Sequence, residues 1–287
     1  MSAAVETYPA VAALARGASL ELSARDRAGE EVLSALLPAG TVVHINHAPG
    51  DTHHGILATA ARVRRAGLVP VPHIAARYLA SYTQLNDCLA RAVGEAGVEQ
   101  VFLVAGDVDR PVGTFDSGLA MLSTGLFQRH GIRRIGLPGY PEGHPKLGQA
   151  LLDDALRAKL AFARDGGLET FIVTQFSFES APIVDWISHV RALGIDVPIR
   201  VGLAGPASIS TLARYAVRCG VGNSLRVLLG GHASIARLLV EAGPEPVMQA
   251  LAADAARSQI AGLHIFTFGG FRRTAAWLEG LRRRPNP

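Results

Sequence analysis

Residues 41–74 read TVVHINHAPGDTHHGILATAARVRRAGLVPVPHI. A β-branched apolar run, TVVHIN (41–46), opens the stretch. Asp51 and Thr52 supply helix-start chemistry, and residues 53–66 recur with helical period. LVPVPHI (68–74) is a second short apolar run. Strand, helix and strand follow one another, and the same alternation extends in both directions. SLEL (19–22) and a helix near 28–37 come before. After it come strand QVFLVA (100–105) behind a helix near 82–96, RRIGLP (133–138) behind one near 115–128, and ETFIVTQ (169–175) behind one near 148–164. VPIRVGL (197–203) follows a helix near 180–192, and several helices between 208 and 258 precede GLHIFTF (262–268) and a last helix carrying TAAWLEGL. Eight strands, each followed by a helix, predict a (β/α)8 barrel with extra helices between strands seven and eight. An open doubly wound sheet is the rival, but no G-x-G-x-x-G follows an early strand. No glycine/serine linker divides the chain. The expectation is a single barrel domain over 1–287, with 1–18 as an N-terminal extension and no appended domain after the barrel.

Composition narrows the function classes. The chain has 287 residues, 49% hydrophobic and 18% charged, ample for a sizeable core. A net charge of +4 with dispersed arginines and a small cluster at Arg282–Arg284 gives no argument for nucleic acid. Anionic small molecules suit it better. Cys88 and Cys219 match no metal or redox spacing and read as free thiols in a reducing compartment. No uncharged apolar run reaches the length of a membrane span, and the N-terminus lacks the positive region of a signal peptide. A cytoplasmic protein that engages neither membrane nor nucleic acid is expected; the sequence leaves a homo-oligomer open.

In a parallel barrel, chemistry collects at the C-terminal ends of the strands. Polar or glycine residues stand at most of these ends. They are Glu21; Asn46 and His47, then Asp51, His53 and His54; His73; Gly106 and Asp107; Tyr140, Glu142 and His144 of GYPEGHPK (139–146); Gln175; and Gly269, Gly270, Arg272 and Arg273. Each has a plainer reading. Glu21 lies between two leucines and would reach solvent in an open sheet, but burying it inside a closed barrel is costly without a purpose. His73 could be a hydrogen-bonded core histidine, Asp107 a turn residue, and Gln175 a backbone partner. The convergence carries the functional reading rather than any one member. A metal site from His44, His47, His53 and His54 is set aside. His44 and His47 point to opposite faces of a strand, and no later ligand completes the set.

The set resembles the methylenetetrahydrofolate reductase family from about Ser19 to Arg273. The most specific match is Tyr140 to Pro145, the family's Tyr-Pro-Glu-x-His-Pro loop. Thr174-Gln175, His73 in VPHI, Gly106-Asp107 and Glu21 match in order. The resemblance implies FAD at the barrel mouth, reduced by NADH or NADPH, with methylenetetrahydrofolate then taking a hydride. It implies Glu21 as general acid and Asp107 as a charge that tunes the flavin and supports the developing cation. Gln175, Thr211 and Arg272 would bind the folate. Asn46, His47, His73, Gly106, Asp107, Tyr140 and His144 would line the flavin, with Asp153 and Lys159 at its adenosine and diphosphate.

Three departures cluster around the flavin. The family's arginine before Gly-Asp is Ala105, its strand-two threonine is Asn46, and the neighbouring aromatic is His47. FAD is therefore expected to bind weakly, with Arg77 or Arg110 replacing the lost charge. The alternatives are a flavin-free relative passing hydride directly from the nicotinamide to the folate, and a non-catalytic folate-binding protein of a demethylation pathway. Glu21 argues against the last.

Overall fold

A computed structural model describes residues 10–221, 225, 241–253 and 259–283. Residues 10–16 form α1. The barrel strands are β1 (Ser19–Ser23), β2 (Val42–Asn46), β3 (Val69–Ala75), β4 (Gln100–Val104), β5 (Arg134–Gly139), β6 (Glu169–Thr174) and β7 (Ile199–Ala204). Two short strands, β8 (Ala207–Ser208) and β9 (Glu241–Ala242), pair antiparallel, and β10 (Gly262–Phe266) completes the barrel. The barrel is closed, in the order β1-β10-β7-β6-β5-β4-β3-β2. Register is parallel, with His44 beside Val71 and His73 beside Phe102. The (β/α)8 expectation is met, with strand ends displaced by a residue or two.

The helices are α2 (Glu30–Leu36), α3 (His53–Arg65), α4 (Tyr82–Ala96), α5 (Gly118–Leu122), α6 (Leu126–Arg129), α7 (Gln149–Asp165), α8 (Ser180–Ala192), α9 (Ile209–Cys219), α10 (Glu245–Ala253) and α11 (Phe271–Arg283). Side-chain caps fix several starts: Thr52 accepts from the Gly55 amide at 3.1 Å, and Ser81 from that of Gln84 at 3.1 Å. The helix expected near 115–128 is two helices. Ser123 and Thr124 donate back to the carbonyls of Ala120 and Met121, and Gly125 turns left-handed at φ 69°. Of the extra helices expected between strands seven and eight, α9 and α10 are present. The rest of that expectation, and residues 1–9 of the expected extension, lie outside the described residues.

Contacts group the chain into two compact units. One comprises residues 21–138 and 150–172, the other 1–20, 139–149 and 173–287. In the first, an aromatic cluster fills the strand interior. His44 of β2, 1% exposed, meets His73, Phe102 and Phe171 edge-on. Gly136 of β5 makes room for it: a Cβ there would sit 2.4 Å from the Phe102 ring and 2.5 Å from that of Phe171. In the second unit, Phe176 anchors a cluster with Phe178, Phe266 and Phe268, and Tyr215 stacks on Phe268 at 4.0 Å. The guanidinium of Arg282 on α11 donates to the carbonyls of Ala15 and Ala18, tying down the end of α1. The expected extension is thus partly a packed helix, with Ala15 fully buried.

Candidate active site

Glu21 is 8% exposed on β1. Its Oε1 accepts a hydrogen bond from Asn46 Nδ2 at 2.7 Å. The Asn46 amide therefore points its nitrogen at a carboxylate, and its Oδ1 is buried without a hydrogen-bond partner. Next along the chain, His47 stacks on the Tyr78 ring (4.6 Å between centroids, 21° between planes) and meets His53 edge-on. Neither ring nitrogen of His47 makes a well-formed hydrogen bond, and neither does His53 Nε2. Polar atoms left this way cost free energy unless a ligand or water serves them. Burial lowers the His47 pKa, opposed by Asp51 and Asp107. Asp51 organises this loop: it accepts from the Ala48 amide at 2.9 Å and from Arg25 Nε at 2.8 Å.

Burial, reinforced by the neighbouring His47, pushes the His53 pKa down to about 4. The native state thus holds His53 neutral where the unfolded chain, with an ordinary pKa near 6.5, takes up a proton. Stability from this site is complete above pH 6.5 and is lost as the pH falls toward 4. The loss should be about 2 kcal/mol, after discounting for partial exposure of the ring. Chemical denaturation at pH 7 and pH 4.5 measures it: His53→Phe should show a smaller difference than the parent. An equal difference in the two proteins would remove His53 as the cause.

At the ends of β3 and β4, Tyr78 donates to Asp107 Oδ1 at 2.6 Å. Gly106 carries φ 97°, and a Cβ there would lie 3.1 Å from two ring carbons of Tyr78. Arg77 Nε and one of its terminal nitrogens donate to the carbonyls of Asp116 and Val108, and its amide donates to Ala105 O at 2.8 Å. Those atoms fold the loop after β4 and are not free to replace the cation missing at Ala105. Arg110 is exposed. His73 hydrogen-bonds His44 at 3.2 Å and packs on Phe102 at 4.7 Å, which is the core-histidine reading.

On α7, the Lys159 stem lies against Gly118, and the amine makes no ion pair or hydrogen bond among the described residues. Burial holds its pKa below the usual lysine range. Asp153 stands on the same helix, nearly two turns earlier.

The second unit holds the other residues singled out in the sequence, each described within that unit. Tyr140 and His144 meet edge-on at 5.2 Å, and burial pushes the Tyr140 hydroxyl up to about 12. The loop is stiff: Gly143 N donates to Tyr140 O at 3.0 Å, His144 Nδ1 accepts from Lys146 N at 3.2 Å, and the Pro145 ring occupies the space beside Gly220. Thr174, fully within β6, accepts from the Gly202 amide at 2.8 Å and so serves the sheet. Gln175 follows at the strand end, and its carboxamide makes no hydrogen bond among the described residues. Thr211 is engaged in the cap of α9, where its hydroxyl accepts from Ser208 at 3.0 Å. Arg272 is exposed, while Arg273 pairs with Glu241.

A cleft of about 460 Å³ lined by Ile132, Arg133, Leu168 and Glu169 lies at the opposite, N-terminal ends of β5 and β6. In barrels that face serves stability, so the strand C-termini are the better site. Among the described residues no group of three or more His, Cys, Asp or Glu could hold a metal, and no helix is long and apolar enough to cross a membrane. Tyr78 is the residue that sequence reasoning missed. The available signal was an aromatic directly after β3, opposite a Gly-Asp after β4.

A closed parallel barrel with polar side chains at successive strand ends is an architecture widely used by enzymes. The methylenetetrahydrofolate reductase family profile matches residues 33–272, most of the chain, and the protein belongs to that family. It is 29% identical over 191 residues to the 5,10-methylenetetrahydrofolate reductase of Pectobacterium carotovorum subsp. carotovorum, covering 66% of this chain and 61% of that one. To methylenetetrahydrofolate reductase 2 of Saccharomyces cerevisiae it is 38% identical over 84 residues, 28% of this chain and 13% of the yeast protein. The chain thus spans less than two thirds of the relatives it matches. Among solved structures, the dihydropteroate synthase of Thermus thermophilus aligns with a TM-score of 0.49 and 14% identity over 92% of this chain and 90% of that one.

Proposed function

We propose that the protein reduces 5,10-methylenetetrahydrofolate to 5-methyltetrahydrofolate with electrons from NADH or NADPH. The observation that carries this reading is Glu21, a nearly buried carboxylate on β1 whose Oε1 is occupied by Asn46. With Oε1 accepting from Asn46 Nδ2, the transferable proton of Glu21 is assigned to Oε2. The substrate's methylene carbon bridges two nitrogens. Protonating one of them breaks its C–N bond and leaves an iminium that accepts hydride. Asp107, exposed and held by Tyr78, would support that developing cation. Gln175, whose amide is unengaged, would hydrogen-bond the pterin edge, with Thr211 and Arg272 as further folate contacts on family grounds.

The residues fit FAD in chemistry. Asn46 Oδ1 and the His47 nitrogens are orphaned polar atoms suited to a polar-edged ring, and Lys159 is a partly buried cation. Asn46, His47, Gly106, Asp107 and Lys159 would hold it. His73, Tyr140, His144 and Asp153 are assigned to it on the family resemblance alone. FAD would supply the two-electron relay between nicotinamide and folate. One observation favours a flavin-free variant of the same reduction: Ala105 supplies no cation, and Arg77 is spent on carbonyls. A single barrel domain in the cytoplasm is part of the proposal.

The folate assignment is tested at Gln175. Gln175→Ala should raise the KM for methylenetetrahydrofolate by a factor of roughly 5 to 150, the equivalent of about 1–3 kcal/mol for a buried polar edge left without its partner. Steady-state kinetics at saturating nicotinamide would show it. An unchanged KM would mean that the folate is held elsewhere.

A further inference from the structure

We propose that Tyr78 is a positioning residue for Asp107, holding its carboxylate in one orientation. The proposal rests on the role given to Asp107 above. Three contacts within one unit converge on Tyr78. Its hydroxyl donates to Asp107 Oδ1 at 2.6 Å, a short, charge-assisted bond. Its ring stacks on His47 at 4.6 Å and 21°. Its edge lies so close to Gly106 that a Cβ there would stand 3.1 Å from two ring carbons.

The geometry explains why such a partner is needed. Asp107 is exposed on the loop that leaves β4, directly after a glycine with φ 97°. The Tyr78 hydroxyl bears on which rotamer carries this charge. Tyr78 sits on a 3-10 turn, Ala76–Tyr78, pinned to the same loop: the Arg77 amide donates to Ala105 O at 2.8 Å, and Val112 N donates to Arg77 O at 2.9 Å. The phenol donor is thus carried by an element already tied to the loop it orients. His47 braces the ring from β2, so one aromatic connects the ends of three strands. The proposed role of Tyr78 is exerted through Asp107.

Tyr78→Phe removes the hydroxyl and keeps the ring on His47 and Gly106, so the fold should survive with its melting temperature close to the parent's. Turnover should fall about 10-fold with the folate KM within about twofold, because the lost contact acts on the developing charge. Adding Asp107→Asn to Tyr78→Phe should produce no loss beyond that of Asp107→Asn alone. A second readout does not depend on turnover. Titration of the 13C-labelled Asp107 carboxyl should move to higher pH in Tyr78→Phe, since a donor to the charged form is gone. His47, which interacts electrostatically with this carboxyl, and the loop neighbours Asp109 and Arg110 in sequence are all retained in the variant. An unmoved titration overturns the proposal. So does parental turnover in Tyr78→Phe when Asp107→Asn is impaired, a result that leaves the role of Asp107 standing. Parental turnover in Asp107→Asn would instead sink the functional reading, and this proposal with it.

Discussion

Glu21→Gln is expected to lower turnover with methylenetetrahydrofolate by about 10²-fold or more, the usual scale for a general acid. Glutamine has nearly the shape of protonated glutamate, so the contact with Asn46 Nδ2 can be kept through its carbonyl oxygen. The amide nitrogen that replaces Oε2 cannot give up a proton at neutral pH. Folate binding should therefore survive while C–N cleavage slows. The side chain is 8% exposed, and bulk acid has little access to stand in for it. Rapid-quench measurement of the hydride step should show the loss directly. Parental rates in that step would take Glu21 out of the mechanism.

The second large effect concerns FAD. A charge-assisted contact to a phosphate contributes about 1.5–3 kcal/mol, and its loss weakens binding roughly 10- to 100-fold. Ala105 removes one such cation relative to the family pattern. Two of the Arg77 donors are turned to Asp116 O and Val108 O, which holds its guanidinium on the loop after β4. Lys159 remains, with its pKa lowered by burial, and a bound anion would raise it again. Purified protein should thus carry little FAD, and Ala105→Arg should tighten FAD by about 10-fold or more in fluorescence titration. Stoichiometric tight FAD in the parent would refute the weak-flavin account without touching family membership. Absence of any FAD binding, with folate reduction intact, would favour direct hydride transfer.

The barrel was legible because its strands are short β-branched runs with polar C-terminal ends, and both properties are local. The break between α5 and α6 was not. The run 115–128 has helical period, but the hydroxyls of Ser123 and Thr124 compete for carbonyls and Gly125 turns left-handed. The sequence also named most of the strand-end residues without saying which atoms meet. Asn46 reads as a ligand contact until its Nδ2 is seen on Glu21, a partner 25 positions away. Thr211, a folate contact on the resemblance, has its hydroxyl engaged in the cap of α9. Tyr78 belongs to no motif; its sequence signal is an aromatic after β3, and the packing of two loops shows what it meets.

The proposed formation of 5-methyltetrahydrofolate can be checked by anaerobic incubation of the purified protein with methylenetetrahydrofolate and NADH or NADPH, with and without added FAD, and mass analysis of the folate. 5-Methyltetrahydrofolate should form with at least one nicotinamide in the parent and be nearly abolished in Glu21→Gln. Folded protein that yields no 5-methyltetrahydrofolate under any of these conditions would contradict the proposal.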